Sequence, residues 1–182
     1  MLKRIAAVLL VVLVAVSLVS CSISPTSGLK SYVDTTKGYQ FLYPNGWLQV
    51  KVSNGPEVVF HDLIESTENI SLVVSPVPGS KSLAELGTPG EVGYNLSKSA
   101  IAPPDSGRTA ELVNAETREL RDKTYYLLEY AVKLPNQQER HNLASVVVSR
   151  GKLFTFNAST TEQRWEKAKQ QLETVVNSFS VY

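Results

Sequence analysis

The rhythm of apolar and polar positions changes several times along this chain of 182 residues, and each change predicts an element. After Lys3 and Arg4, the stretch from Ile5 to Val16 is uniformly apolar. It falls short of the roughly 20 residues that cross a bilayer, and with its basic start it predicts an export signal. From Cys21 to Lys30, Ser, Pro, Thr and Gly replace any periodicity, which predicts a flexible spacer. Tyr39, Phe41 and Tyr43 then alternate with Gln40 and Leu42, Pro44-Asn45-Gly46 forms a turn signal, and Trp47 to Val52 alternates again. Together these read as a β-hairpin. Val58 to Phe60 and Ile70 to Val74 predict two more strands.

The period then changes. Thr88-Pro89-Gly90-Glu91 offers an N-cap, a proline at the first helical position and the acid of a capping box. Val92, Leu96 and Ala100 share one face of the predicted helix, which Pro103-Pro104 ends. Strands are predicted near Ala110 to Leu120, Thr124 to Leu134, His141 to Ser149 and Leu153 to Ser159, with Arg150-Gly151-Lys152 as one of the turns. Thr160-x-x-Gln163 resembles a second capping box, ahead of Trp165, Ala168, Leu172, Val175, Val176 and Phe179 at helical spacing. Neighbouring strands interrupted by two amphipathic helices predict an α+β fold, a mainly antiparallel sheet covered by helices.

The sole cysteine sharpens the N-terminal reading. Leu18-Val19-Ser20-Cys21 reads as a lipobox, in which the cysteine is acylated and the signal is removed before it. A plain signal peptide or a spanning helix is the bland alternative. The expected organisation is a signal over residues 1–20, a lipid-anchored spacer over 21–31 and one domain over 32–182. Two or more acyl chains give durable anchoring, where one chain holds only marginally. Without Lys3 and Arg4 the mature chain carries 16 basic and 17 acidic groups, a net charge of −1. That balance argues against nucleic acid as a partner, which needs a concentrated basic excess. With its cysteine committed to lipid, the domain has no disulfide to rely on, and a hydrophobic core must hold it.

Candidate chemistry is sparse. There is no G-x-S-x-G, G-x-x-x-x-G-K-[ST], G-x-G-x-x-G or H-E-x-x-H motif, and the histidines are His61 and His141 alone. An enzyme is not expected, although a dispersed Ser-His-Asp set needs no sequence proximity. Each histidine lies beside acids, in Phe60-His61-Asp62 with Glu65 and in Glu139-Arg140-His141. Imidazole with carboxylate suits zinc or manganese. Taken alone, each histidine reads first as a solvated or core-edge side chain at a strand end, and Trp47 and Trp165 as packing. Pro135 to Gln138 and Arg118 to Lys123 read as hairpin loops.

Several blocks resemble the PsbP family: Gly38 to Pro44 with Gly46-Trp47, Glu57 to Asp62, Asn69 to Val74, Tyr125-Tyr126, Arg150 to Leu153, Arg164-Trp165 and Ser178 to Val181. The lipobox points to the cyanobacterial lipoprotein branch. The resemblance covers Tyr32 to Tyr182 and implies an α-β-α sandwich of the PsbP/Mog1-like kind, with a central antiparallel sheet between helices. It implies a non-catalytic protein on the lumenal side of the thylakoid membrane, associated with photosystem II; a monomer with no required cofactor is expected. The plant form helps retain calcium and chloride for water oxidation. Between Cys21 and Tyr32 no long N-terminal arm of the plant type is present, so an assembly or stabilising role for the oxygen-evolving complex is expected instead. The resemblance also implies a metal site for zinc or manganese at His141 and Glu162, with glutamate where the plant pattern has aspartate. Asp34, His61 and Glu65 form a second candidate, tied to the cyanobacterial branch. A metal-buffering or metal-delivering lipoprotein is the alternative function.

Overall fold

Strand pairing sorts the ten described strands into two antiparallel sheets. The structure is a computed structural model that describes residues 26–53 and 55–182. Cys21 and the predicted signal lie outside the described residues. Strands β1 (Leu29–Asp34), β2 (Tyr39–Pro44) and β10 (Ser180–Val181) make a small sheet in the order β1-β2-β10. The larger sheet orders β3 (Leu48–Val50), β4 (Val58–His61), β5 (Asn69–Pro76), β9 (Lys152–Thr161), β8 (Glu139–Ser149), β7 (Lys123–Lys133) and β6 (Thr109–Leu120). Helices α1 (Pro89–Leu96) and α2 (Trp165–Ser178) complete the described elements, with short tight turns between them.

The α+β class with a mainly antiparallel central sheet is observed, and two cores explain the layering. Phe154, Phe156 and Ala158 of β9 bury their side chains on one face against α2 and the small sheet. Phe156 is the hub, with ring centroids 4.6 Å from Phe41 and 4.9 Å from Phe179. On the opposite face α1 packs over β6 and β7, where Val92, Leu128, Tyr130 and Val146 are buried. Gly93 allows this contact, since a Cβ there would sit 2.9 Å from the Leu112 methyls. The Tyr130 hydroxyl donates to the Gly93 carbonyl at 3.0 Å and pins the helix to the sheet.

Four details differ from the sequence expectation. Tyr39–Pro44 and Leu48–Val50 are not a hairpin: β2 pairs with β1 and β10, and β3 with β4. Both strands have the alternation a hairpin needs, but the turn at Asn45 and Gly46 carries the chain from one sheet to the other. Consequently one side of the sandwich is a mixed layer of α2 and a three-stranded sheet. Strand β1 starts at Leu29, inside the stretch read as spacer; it is an edge strand with no fully buried residue, and it leaves no periodic apolar signal. The helical face of Val92 and Leu96 does not continue to Ala100. Residues Ser97–Ile101 form a wider turn with one extra residue, so Ile101 is buried where Ala100 was expected.

The Thr88 capping box forms as predicted: Glu91 N–H donates to Thr88 Oγ1 at 3.3 Å and Thr88 N–H to Glu91 Oε2 at 2.8 Å. The second box does not. Thr160 is still in β9, and its hydroxyl donates to the buried Glu68 carboxylate at 2.8 Å. A carboxylate inside the protein is the stronger acceptor, so α2 begins at Trp165 without a side-chain cap.

Candidate functional site

His141 lies where three elements meet. In the β7–β8 register Ala131 faces His141 and Glu129 faces Leu143, so the pleat puts Glu129 diagonally across from the imidazole on the same face. In the β8–β9 register Thr160 faces His141, and the turn after β9 brings Glu162 beside the ring. Trp165, at the start of α2, covers it: the rings stack 3.7 Å apart at 9°. His141 Nε2 lies 2.6 Å from Glu129 Oε1, and Nδ1 lies 2.9 Å from Glu162 Oε2. The His141 side chain is only 8 % exposed.

The structure therefore brings His141 and Glu162 together and adds Glu129, which sequence reasoning missed. The two carboxylates lie at opposite ring nitrogens, so they cannot join the imidazole around one ion. Among the described residues no three His, Cys, Asp or Glu side chains are gathered to hold a metal. Protein zinc sites use three or four protein ligands. A pair such as His141 and Glu162 suits an ion held loosely and exchangeably, not a resident one. The arrangement as it stands is a clamp: two acceptors orient the ring and the indole shields it.

The second candidate set is dispersed over other contacts. Asp34 Oδ1 accepts from Lys37 N–H at 2.8 Å. His61 Nδ1 lies 2.8 Å from the Asp62 carbonyl, and Glu65 lies 3.5 Å from the Arg164 guanidinium. Asp62, between them, closes the loop after β4 by accepting from Ile64 and Glu65 N–H at 2.7 Å each. The Glu65 N–H bond above all holds the Asp62 carboxyl below the usual aspartate range.

A further carboxylate next to the site was also missed. Glu68 is 5 % exposed and accepts from Arg164 Nε at 2.6 Å as well as from Thr160. Arg164 and Trp165 thus work as neighbours, one locking Glu68 and the other covering His141. Glu129 had one visible signal, a lone acid inside the apolar run Leu127-Leu128-Glu129-Tyr130. Glu68 had none, because its burial depends on β5 lying beside β9.

The surrounding sequence and fold have close counterparts. A protein named CyanoP from Thermosynechococcus vestitus is 54% identical over 163 residues, covering 87% of this chain and 89% of that protein. CyanoP from Synechocystis is 46% identical over 180 residues, covering 97% of this chain and 96% of that one. The solution structure of the Synechocystis protein superposes with a TM-score of 0.73 at 47% identity, over 91% of this chain and 99% of that chain. The PsbP family matches residues 27–181, a span that includes both sheets, both helices and the His141 clamp. On the strength of that match and of relatives about half identical along nearly their whole length, the chain belongs to the PsbP family.

Proposed function

We propose that this protein is a lipid-anchored protein on the lumenal side of the thylakoid membrane that associates with photosystem II and acts, without catalysis, in assembly or stabilisation of the oxygen-evolving complex. The observation that carries the proposal is a lipobox, Leu18 to Cys21, joined to a PsbP-family domain. Only eight residues lead from Cys21 to Leu29, where β1 starts. Fully extended they reach about 28 Å, so lipidation at Cys21 holds the domain within that distance of the bilayer. Confinement of this kind raises effective concentration at a membrane target without enlarging the contact area. A tagged chain should recover photosystem II subunits from solubilised membranes. Recovery of none, while a control assembly factor captures them, sinks the proposal. A Cys21→Ser variant should be exported yet released from membranes by an alkaline wash.

The 2.9 Å approach of His141 Nδ1 to Glu162 supports a second reading, a lipoprotein that buffers zinc or manganese through an exchangeable site. Calorimetry with each metal tests it. Equal affinity in the wild type and in a His141→Ala, Glu162→Ala double variant removes the site.

A further inference from the structure

Helix α1 covers only half of its face of the large sheet. Over β5 and β9 that face is open, and a cavity of about 430 Å³ remains between the strands and the residues that follow α1. Thr155, Asn157 and Ser159 point into it, alternating with Phe154, Phe156 and Ala158 of the larger core. Asn69, Ser71 and Val73 of β5 do likewise, alternating with the buried Ile70 and Leu72. Ala100 and Ile101 form part of the wall. Arg108 and Arg140 are the charged residues of the lining, which contains no acid.

Arg140 Nη2 and Asn69 Nδ2 both donate to the Thr67 carbonyl, and a second set of hydrogen bonds runs in one direction from Arg140. Arg140 donates to Ser159 Oγ from Nε at 3.0 Å and from a terminal nitrogen at 2.8 Å. The Ser159 hydroxyl, with its lone pairs so engaged, donates to Asn142 Oδ1 at 2.7 Å. The Asn142 amide nitrogen in turn faces Asn157 Oδ1 at 3.3 Å. Because guanidinium can only donate, every amide orientation along the chain is determined. The Asn157 Nδ2 group is left as a donor aimed at the cavity, with no hydrogen bond to a described residue. The Arg108 guanidinium likewise makes no hydrogen bond or ion pair to a described residue. The face also carries acceptors, such as Asn69 Oδ1, but the chain that starts at Arg140 ends in a donor and both charges of the lining are positive.

We infer that this cavity binds a small oxyanion carried on a polar, hydroxyl-bearing body, a phosphate ester or its equivalent, between Arg108, Arg140 and the Asn157 amide. The hydroxyls of Ser71 and Thr155, which have no partner among the described residues, meet the hydroxyls of the ligand. Arg140 has reason to accept an anion: burial first, and then the charge of Arg108, hold its guanidinium below the ordinary range, with the Glu68 carboxylate opposing them only in part. An anion between them offsets both. The cavity is on the sheet face opposite the His141 clamp, and the inference does not rest on association with photosystem II.

The ligand could be a free phosphate ester or the headgroup of an anionic lipid, and one titration separates these sources. The lipidated mature chain, labelled with nitrogen-15 in neutral detergent micelles, is titrated with glycerol 3-phosphate, with glycerol, and with phosphatidylglycerol added to the micelles. Saturable shifts of the Asn157 and Asn142 side-chain amides are expected with one or both phosphates, the free ester or the lipid identifying the source, and none with glycerol. Arg108→Gln, whose side chain makes no hydrogen bond or ion pair with a described residue, and Asn157→Asp, which keeps the acceptor for Asn142, should each weaken binding at least about tenfold, the loss of one charge-assisted hydrogen bond. Absence of saturable shifts with either phosphate, equal shifts with glycerol, or unchanged affinity in both variants overturns the inference.

Discussion

Arg164 holds together the side chains around the candidate site, and its energetic role follows from unequal burial. Glu68 is 5 % exposed, whereas the Arg164 side chain is 33 % exposed. Removing the arginine leaves a buried carboxylate with one remaining donor, Thr160; neutralising the glutamate leaves a cation that water can reach. Arg164→Ala should therefore destabilise more than Glu68→Gln, which should cost about 1 kcal/mol. Urea unfolding measures both, and a larger loss for Glu68→Gln contradicts the assignment. At this scale little was legible in the sequence alone. The grouping of His141 with Glu162 came from the family resemblance as a metal site, and in the structure the two are hydrogen-bonded at 2.9 Å. The partners of Glu129 and Glu68 were hidden because they lie across strands whose register no local pattern specifies.

Capping and loop closure decide the behaviour of individual elements. The Thr88 box and the proline after it were readable because every group involved lies within four consecutive residues. Thr160-x-x-Gln163 has the same local form, yet a distant carboxylate claims the threonine. Asp62 shows a local device that the sequence reading treated as a possible metal neighbour; it closes the loop after β4 instead. Asp62→Ala should cost about 1 kcal/mol, as the loss of an N-cap does. Its pH dependence has a definite sign. The folded carboxyl titrates below the unfolded value, which is near 3.9. The contribution is therefore complete above that value and fades as pH falls through the lower folded one. The stability gap between wild type and Asp62→Ala, measured by urea unfolding down the acid range, should narrow only there. A gap that instead widens on acidification contradicts the role.

The molecule as a whole is closed by its last residues. Strand β10 extends the small sheet beside β2, while Phe179 and Val181 are 0% and 3% exposed in the core around Phe156. Deleting residues 179–182 removes two fully buried apolar side chains and should destabilise by about 4 kcal/mol, at about 2 kcal/mol each. Urea unfolding of the truncated chain reads the loss; a change under about 1 kcal/mol would show that the small sheet closes without β10. The same closure explains the lost hairpin. Tyr39 and Phe41 pack against β9 aromatics of the other sheet, and that burial, together with pairing to β1 and β10, outweighs a local turn between β2 and β3.

Periodicity by itself determined the α+β class, the four long strands from β6 to β9, the capped start of α1 and the apolar face of α2, because each depends on side chains close together in the chain. The order of blocks pointed to the family, and the lipobox supplied the motive for a membrane tether. Tertiary structure alone decided what depends on strand register and layer packing: the second sheet, the burial of Glu68, the two carboxylates on His141, and the donor-ended cavity over β5 and β9. Side chains far apart in sequence meet there only because the sheets order their strands as they do, and no local spacing encodes that order.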